Sequence, residues 1–406
     1  MRKRRMTRRI AVALAAAVIA GALATTAGAS SHSSSSATVK VGPSGLRFYS
    51  PKRLPAGPHG TLIWERPFHG VAALKGATNY LVLYKQVGVN GTMVPVSGIV
   101  SIPKGTAPKR GFPVVTYAHG TTGIADSCAP SRDTGPASGA HEADTGIAPL
   151  LDTWIRDRYA VVRTDYEGLG TPGPHPYLIG HSEGYGVLDI VLAARRLDPA
   201  LSNRIVISGH SQGGQAALWA ASLASKYTPS LKLLGTLAFA PQSHTAEEAS
   251  FLKTINTPAL TPLAGMILRG IDIADPSLHI SSLLTPAGAA LYPQTLTRCL
   301  SQLESTSSLG GLPLDQLVAP SADLTAATAA IAANDPDHLR IRGQVLIEQG
   351  LADTTVLPPF DQQLSQELAK NGAKVTYHTW PGATHGGVLI AAAKDGTAFL
   401  KKRFGG

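Results

Sequence analysis

A chain of 406 residues, 44% of them hydrophobic and 15% charged, is long enough to bury a sizeable core and carry an added module. The formal net charge is +10, but residues 1–29 hold six Lys/Arg and no acids; 36 minus 6 leaves 30 basic against 26 acidic residues, a balance of +4. Most of the basic excess is therefore a targeting feature, which removes the main support for nucleic-acid binding, and two cysteines without a C-x-x-C neighbour give a zinc or redox centre none.

Residues 1–29 open with MRKRRMTRRI, continue through a charge-free apolar run from Ile10 to Leu23, and end on Ala27-Gly28-Ala29. That order reads as a secretory signal peptide; the run is shorter than the roughly 18 to 20 apolar residues that span a bilayer. Thr7-Arg8-Arg9 leaves twin-arginine export open beside the general route. Residues 30–75 read as a serine-rich spacer followed by a Pro/Gly-rich arm with little periodicity, to which the sequence assigns no role. Strand-like runs follow at Tyr80–Gln86, Val94–Ile102, Pro113–Ala118, Ala160–Thr164, Arg204–Ser208, Leu233–Phe239, Gln344–Ile347 and Lys374–Thr379. Helix-like segments, among them Glu183–Leu197, Gln212–Lys226 and Phe360–Lys370, alternate with most of the later ones. The alternation predicts an α/β fold with a mostly parallel sheet, helices on both faces, and its core divided between residues 76–241 and 340–406. Between those parts, residues 242–339 lose the rhythm. Ala/Leu/Ser/Thr segments are cut there by Pro and Gly, and the stretch reads as an inserted, mainly helical cap.

The pattern Gly209-His210-Ser211-Gln212-Gly213 joins the strand run Arg204–Ser208 to the helix that begins at Gln212. A G-x-S-x-G at a strand-to-helix turn is a nucleophile elbow, in which a tight turn holds the serine above the sheet edge and the helix start favours negative charge beside it. The chain carries a control. Gly180-His181-Ser182-Glu183-Gly184 fits the same pattern but follows the Pro/Gly-rich TPGPHPYLIG and no strand, so Ser211 is the nucleophile candidate and Ser182 is not.

A serine hydroxyl needs a histidine to accept its proton, and the histidine needs a carboxylate to fix its tautomer. In this fold the chain order is serine, acid, histidine. Asp353 lies in the loop after Gln344–Ile347, and His385 in the loop after Lys374–Thr379, both past strand ends where such sites collect. Glu348 competes for the acid's place from the end of the same strand run. His244, His279 and His338 lie in or beside the cap, and His378 falls inside a strand as a packed residue. For the oxyanion that forms on attack, one N–H comes from Gln212 and the other from His119-Gly120-Thr121-Thr122-Gly123, where Thr121 and Thr122 both qualify. His119 reads as structural, and Asp165 and Glu167 as loop-shaping carboxylates. With an export signal present, Cys128 and Cys299 read as a disulfide that ties the loop after the third strand to the cap.

These residues resemble the secreted lipases similar to yeast lipase A, with their actinobacterial relatives, of the α/β-hydrolase superfamily. The resemblance is carried by YAHGTTGIADSCAPS (117–131), AVVRTDYEG (160–168), residues 180–194, the elbow at 209–213, and Arg298-Cys299. It implies that Ser211, Asp353 and His385 form the triad, that Cys128 pairs with Cys299, that Ser182 is non-catalytic, and that a helical cap covers an acyl tunnel. One departure stands out: the yeast enzyme has an acidic residue where Thr122 falls. The sequence thus predicts a secreted serine carboxylester hydrolase, a triacylglycerol lipase or esterase acting through an acyl-enzyme on a small-molecule or lipid ester, and leaves action at a lipid–water interface open. It calls for no metal, cofactor, nucleic acid or stable protein partner. A peptidase or acyltransferase on the same scaffold, and a catalytically silent binding protein, are the alternatives.

Overall fold

Nine strands form one sheet: β1 (Leu62–Pro67), β2 (Ala77–Val87), β3 (Met93–Pro103), β4 (Phe112–Ala118), β5 (Ala160–Thr164), β6 (Leu201–His210), β7 (Lys232–Phe239), β8 (Gln344–Gly350) and β9 (Lys374–Trp380). The computed structural model describes residues 39–136, 138–248, 250 and 258–405; the signal-peptide and serine-spacer readings fall on residues 1–38, outside the described residues. In space the order is β1-β2-β3-β5-β4-β6-β7-β8-β9. The first three strands pair antiparallel, β3 also runs antiparallel to β5, and the six strands from β5 to β9 are parallel. Each of the eight strand runs read from the sequence lies within one observed strand.

Alternation along the central strands sends neighbours to opposite faces, as the period of two requires. Ile205 and Ile207 pack with Val345 and Ile347 on one face, beneath α2 (Gly180–Leu197), α3 (Gln212–Tyr227) and Pro358–Lys370. Val206, Leu237 and Leu346 pack on the other, against α1 (His141–Arg156) and the terminal helix Ala393–Phe404. Because both faces are covered, the central parallel strands read as continuous apolar runs, whereas the edge strand β9 (KVTYHTW) is half exposed.

The arm is the main correction to the sequence reading. Its Leu62–Pro67 is the edge strand β1, and Phe48, Tyr49, Ile63 and Trp64 bury a small core with Leu83. Trp64 Nε1 donates to the Phe48 carbonyl at 3.0 Å, folding the arm back on itself. The strand was hidden because it lies at the sheet edge, is short, and ends on a proline.

Between the end of β7 and the start of β8 the chain forms Thr261–Ala274, Pro286–Leu291, Leu300–Leu303 and Thr325–Ala332 as α-helices, linked by 3-10 turns. This segment has its own apolar core around Met266, Ile271, Ile280, Leu303, Leu309 and Leu317. That core also takes in Ile124, Tyr177, Leu178 and Ile179 from the loops above the sheet, so the insert sits on the C-terminal edge of the parallel strands. No helix among the described residues is long and apolar enough to cross a membrane.

Candidate active site

β6 ends at His210 and α3 starts at Gln212, leaving Ser211 alone in the turn with φ 58° and ψ −122°. A non-glycine residue pays strain to sit there, and the surroundings enforce it. A Cβ on Gly209 would overlap the Gly213 carbonyl, and one on Gly213 would overlap the Ala118 and His119 carbonyls. The two flanking glycines therefore allow the strand, the helix and the loop after β4 to meet at one point. Ser211 N–H donates to the Phe239 carbonyl (3.0 Å), while its own carbonyl accepts from Gly214, Gln215 and Gln242. Gln212, as the first helical residue, has no intrahelical acceptor for its N–H.

Ser211 opens into a cavity of about 780 Å³ that is also lined by Gly120, Thr121, Thr355 and His385. Its outer wall is largely apolar, built from Ala259, Leu260, Leu263 and Leu300 of the insert, with Glu304 beside them, and Leu357 and Leu389 of the core. Of the residues expected to act together, Asp353 and His385 meet directly: His385 Nδ1 stands 2.7 Å from Asp353 Oδ2. The other carboxylate oxygen accepts the N–H groups of Thr355 (2.8 Å) and Val356 (3.0 Å). Burial works to raise the Asp353 pKa. The hydrogen bond to and charge of His385, together with those two amides, outweigh it and leave the carboxyl below its ordinary value. Among the described residues the Ser211 hydroxyl makes no hydrogen bond; serine and imidazole share the cavity without closing on each other.

On the other side of the serine, Thr121 lines the cavity and its hydroxyl pairs with the Tyr177 hydroxyl at 2.7 Å. Thr122 is buried behind it, with its carbonyl accepting Leu300 N–H at 2.9 Å and its hydroxyl unpartnered among the described residues. Cys128 and Cys299 form a disulfide with Cα atoms 5.4 Å apart across 171 positions, and Gly123 bridges to Cys299. The 119–123 loop is thus fastened to the insert.

The rival residues are occupied elsewhere. Glu348 is buried and accepts Trp380 Nε1–H at 2.7 Å, and burial pushes its pKa up to about 8. His378, though expected inside a strand as a packed residue, is partly exposed and pairs with Asp395. His244 contacts Glu367 at 3.0 Å, His338 lies beside Asp337, and His279 occupies a left-handed turn in the insert. His119 lines the cavity but is buried against the Tyr166 ring, with its pKa lowered to about 4, chiefly by burial. Asp165 accepts from Ser97 Oγ and from the Ser131 amide and hydroxyl, and Glu167 from Val89 N–H, so both carboxylates shape loops. Ser182 lies in the first turn of α2, buried, and donates to Glu167.

Three contributors were not singled out from the sequence. His210, the variable position of the elbow, lies 4.6 Å from the His385 ring and donates from Nε2 to the His385 carbonyl at 3.0 Å. Burial, with His385 adding to it, lowers its pKa to about 3, so it acts as a neutral strut. His175 and Glu183 both contact the Gln212 side chain. The signal for His210 was its place in the motif; the other two act through a side chain whose backbone alone had been considered.

A strained serine turn on a mostly parallel sheet, with a histidine–carboxylate pair on the loops after the last two strands, β8 and β9, is the architecture of the α/β-hydrolase fold. Residues 142–303 match the family model described as secretory lipase. The chain is 25% identical over 356 residues to Lipase A of Moesziomyces aphidis, covering 81% of this chain and 73% of that one. It is 24% identical to a Mycobacterium tuberculosis protein named "Probable inactive lipase MT1628", covering 80% of this chain and 73% of that one. The solved closed-state structure of Candida antarctica lipase A superposes with TM-score 0.75 at 23% identity, covering 86% of this chain and 82% of that chain. The chain is thus similar to secretory lipases in sequence and shares the fold of lipase A.

Proposed function

We propose that this protein is an exported serine carboxylester hydrolase that cleaves lipid esters through an acyl-enzyme on Ser211. The observation that carries the reading is the Asp353–His385 hydrogen bond facing the cavity into which the elbow serine opens. Because the carboxylate can only accept, the His385 proton sits on Nδ1, and Nε2 keeps a lone pair for the serine hydroxyl. The Ser211–His385 hydrogen bond then forms in the substrate complex.

Ser211 Oγ attacks the ester carbonyl carbon as its proton passes to His385 Nε2, and the oxyanion is held by N–H groups of Gln212 and the 121–122 loop. Thr121 is the member of that loop that lines the cavity, which favours it as the second donor. Collapse expels the alcohol, which takes the proton from His385. Water, activated by the same imidazole, then attacks the acyl-enzyme and releases the acid. The wall of Leu260, Leu263, Leu300 and Leu357 supports a fatty acyl chain over a peptide or a sugar.

A p-nitrophenyl ester chain-length series, assayed beside a peptide substrate and with fluorophosphonate labelling, tests this. Turnover and label are both expected to vanish in Ser211→Ala while the protein stays folded. The silent-protein reading has a relative named as inactive behind it and predicts no label even in the natural chain; the intact Asp353–His385 pair speaks against it.

A further inference from the structure

The second G-x-S-x-G pattern, discarded as a nucleophile, puts Glu183 against the residue that follows Ser211. Gln212 Nε2 donates to Glu183 Oε1 at 2.7 Å and to His175 Nε2 at 3.0 Å, so both amide hydrogens are used. Nδ1 of His175 faces the Glu167 carbonyl at 2.9 Å; a carbonyl only accepts, which puts the imidazole proton on Nδ1 and leaves Nε2 as an acceptor. Glu183 Oε1 also takes Leu178 N–H at 2.8 Å, anchoring a residue held at φ 59°. All three side chains are buried to within 1% of full enclosure, and none lines the cavity. Burial keeps His175 neutral, with its pKa lowered to about 3, and pushes Glu183 up to about 8. A buried clamp of this kind, in which Glu183 Oε1 takes two donors while Oε2 has no partner among the described residues, costs side-chain freedom and polar desolvation, and its only contact with the reaction is through the Gln212 backbone.

We propose that Glu183, with His175, is a positioning residue for the oxyanion hole: by fixing the Gln212 side chain it holds the Gln212 N–H and the first turn of α3 on the point where negative charge develops above Ser211. This rests on the serine-hydrolase reading. An oxyanion donor acts only when it is already aimed at the transition-state position, so loosening its side chain should reduce turnover more than substrate binding.

Glu183→Leu removes the acceptor, Glu183→Gln retains one, and Gln212→Met keeps the backbone donor while releasing the clamp. Active sites are titrated to completion with a fluorophosphonate; kcat, KM and the Kd of an alkyl boronic acid, a tetrahedral analogue, are then measured per titrated site. In Glu183→Leu and Gln212→Met, kcat is expected to fall roughly 10- to 100-fold with KM within twofold, a part of what losing a whole donor costs. Boronate affinity should weaken in step, and Glu183→Gln should recover to within a few-fold of the natural chain. The proposal is overturned if kcat per titrated site and boronate affinity are unchanged while only the melting temperature drops, or if KM carries the loss. Should Glu183→Leu fail to fold, Gln212→Met decides alone. A Ser211→Ala protein that still turns over instead refutes the underlying reading.

Discussion

Replacing Glu183 by Gln should change how stability depends on pH, by an amount the burial of that carboxyl sets. In the folded chain its pKa is pushed up from 4.5 to about 8, chiefly by burial, with the Gln212 and Leu178 hydrogen bonds acting the other way. The folded state therefore favours the protonated form. The stability tied to that proton is whole below pH 4.5, declines as pH rises toward 8, and is lost above. At 1.36 kcal/mol per unit, the natural chain should lose on the order of 3 kcal/mol between pH 5 and pH 8 through this group alone. Glu183→Gln cannot titrate there and should not lose it. The ionisable groups facing Glu183 do not confuse the comparison: His175 is neutral throughout, and burial pushes Tyr166 and Tyr177 upward, so they keep their protons. Other buried acids with raised pKa values, such as Glu248 at about 7 and Asp335 at about 6, titrate in both proteins and cancel in the difference. Urea unfolding followed by tryptophan fluorescence at pH 5, 6, 7 and 8 measures it. Parallel stability curves for the two proteins, within about 0.5 kcal/mol across that range, would refute the reasoning.

Asp353→Asn should lower kcat on a p-nitrophenyl ester by about 10⁴-fold, because an amide at that place favours the wrong imidazole tautomer; a loss under tenfold would remove Asp353 from its role. Breaking the Cys128–Cys299 bond with a double Cys→Ser substitution should cost about 5 kcal/mol by the chain entropy of a 171-residue loop, read as a fall in the urea midpoint; no shift would mean that the insert is held by packing alone. Gly213→Ala should give a destabilised, nearly inactive protein, since its Cβ would overlap the Ala118 and His119 carbonyls and push the oxyanion loop away. Gly214→Ala, whose Cβ would meet Pro241 instead, should lose stability with a smaller effect on kcat per titrated site.

Most of the sheet was legible because its strands are buried on both faces and so read as unbroken apolar runs between Gly and Pro signals. β1 was not, since an edge strand with Glu65 and Arg66 in its middle and Pro67 at its end carries neither a continuous nor an alternating signal. α1 was not named either; Gly146 and Pro149 lie inside it, and both read as breakers. Its helix survives because Ile147, Leu150, Leu151 and Trp154 bury one face under the sheet, and tertiary packing outweighs local propensity. At the candidate site, Ser211, Asp353 and His385 were singled out by motif and by loop position after strand ends, both local properties of the chain. The clamp behind Gln212 was not readable, because His175, Glu183 and Gln212 lie on a loop and two helices that only packing brings together.

The insert and the 119–123 loop are joined from two sides. Leu300 lines the cavity by its side chain and binds the Thr122 carbonyl by its N–H, next to Cys299 with its bond to Cys128. From the other side, Gly270 of the Thr261–Ala274 helix packs directly on the Tyr177 carbonyl, and the Tyr177 hydroxyl holds Thr121. A Cβ at 270 would overlap that carbonyl, so the close approach depends on a glycine. Both parts of the cavity wall therefore end on neighbouring residues of the 121–122 loop, the one that in the proposed mechanism holds the oxyanion. In the proposed mechanism, shifting either wall moves a donor whose value depends on aim over fractions of an ångström, whereas the Asp353–His385 pair is carried by loops of the core sheet. It follows that substitutions in the insert that leave the cavity's apolar character intact should act on kcat as well as on KM, although none of them touches Ser211.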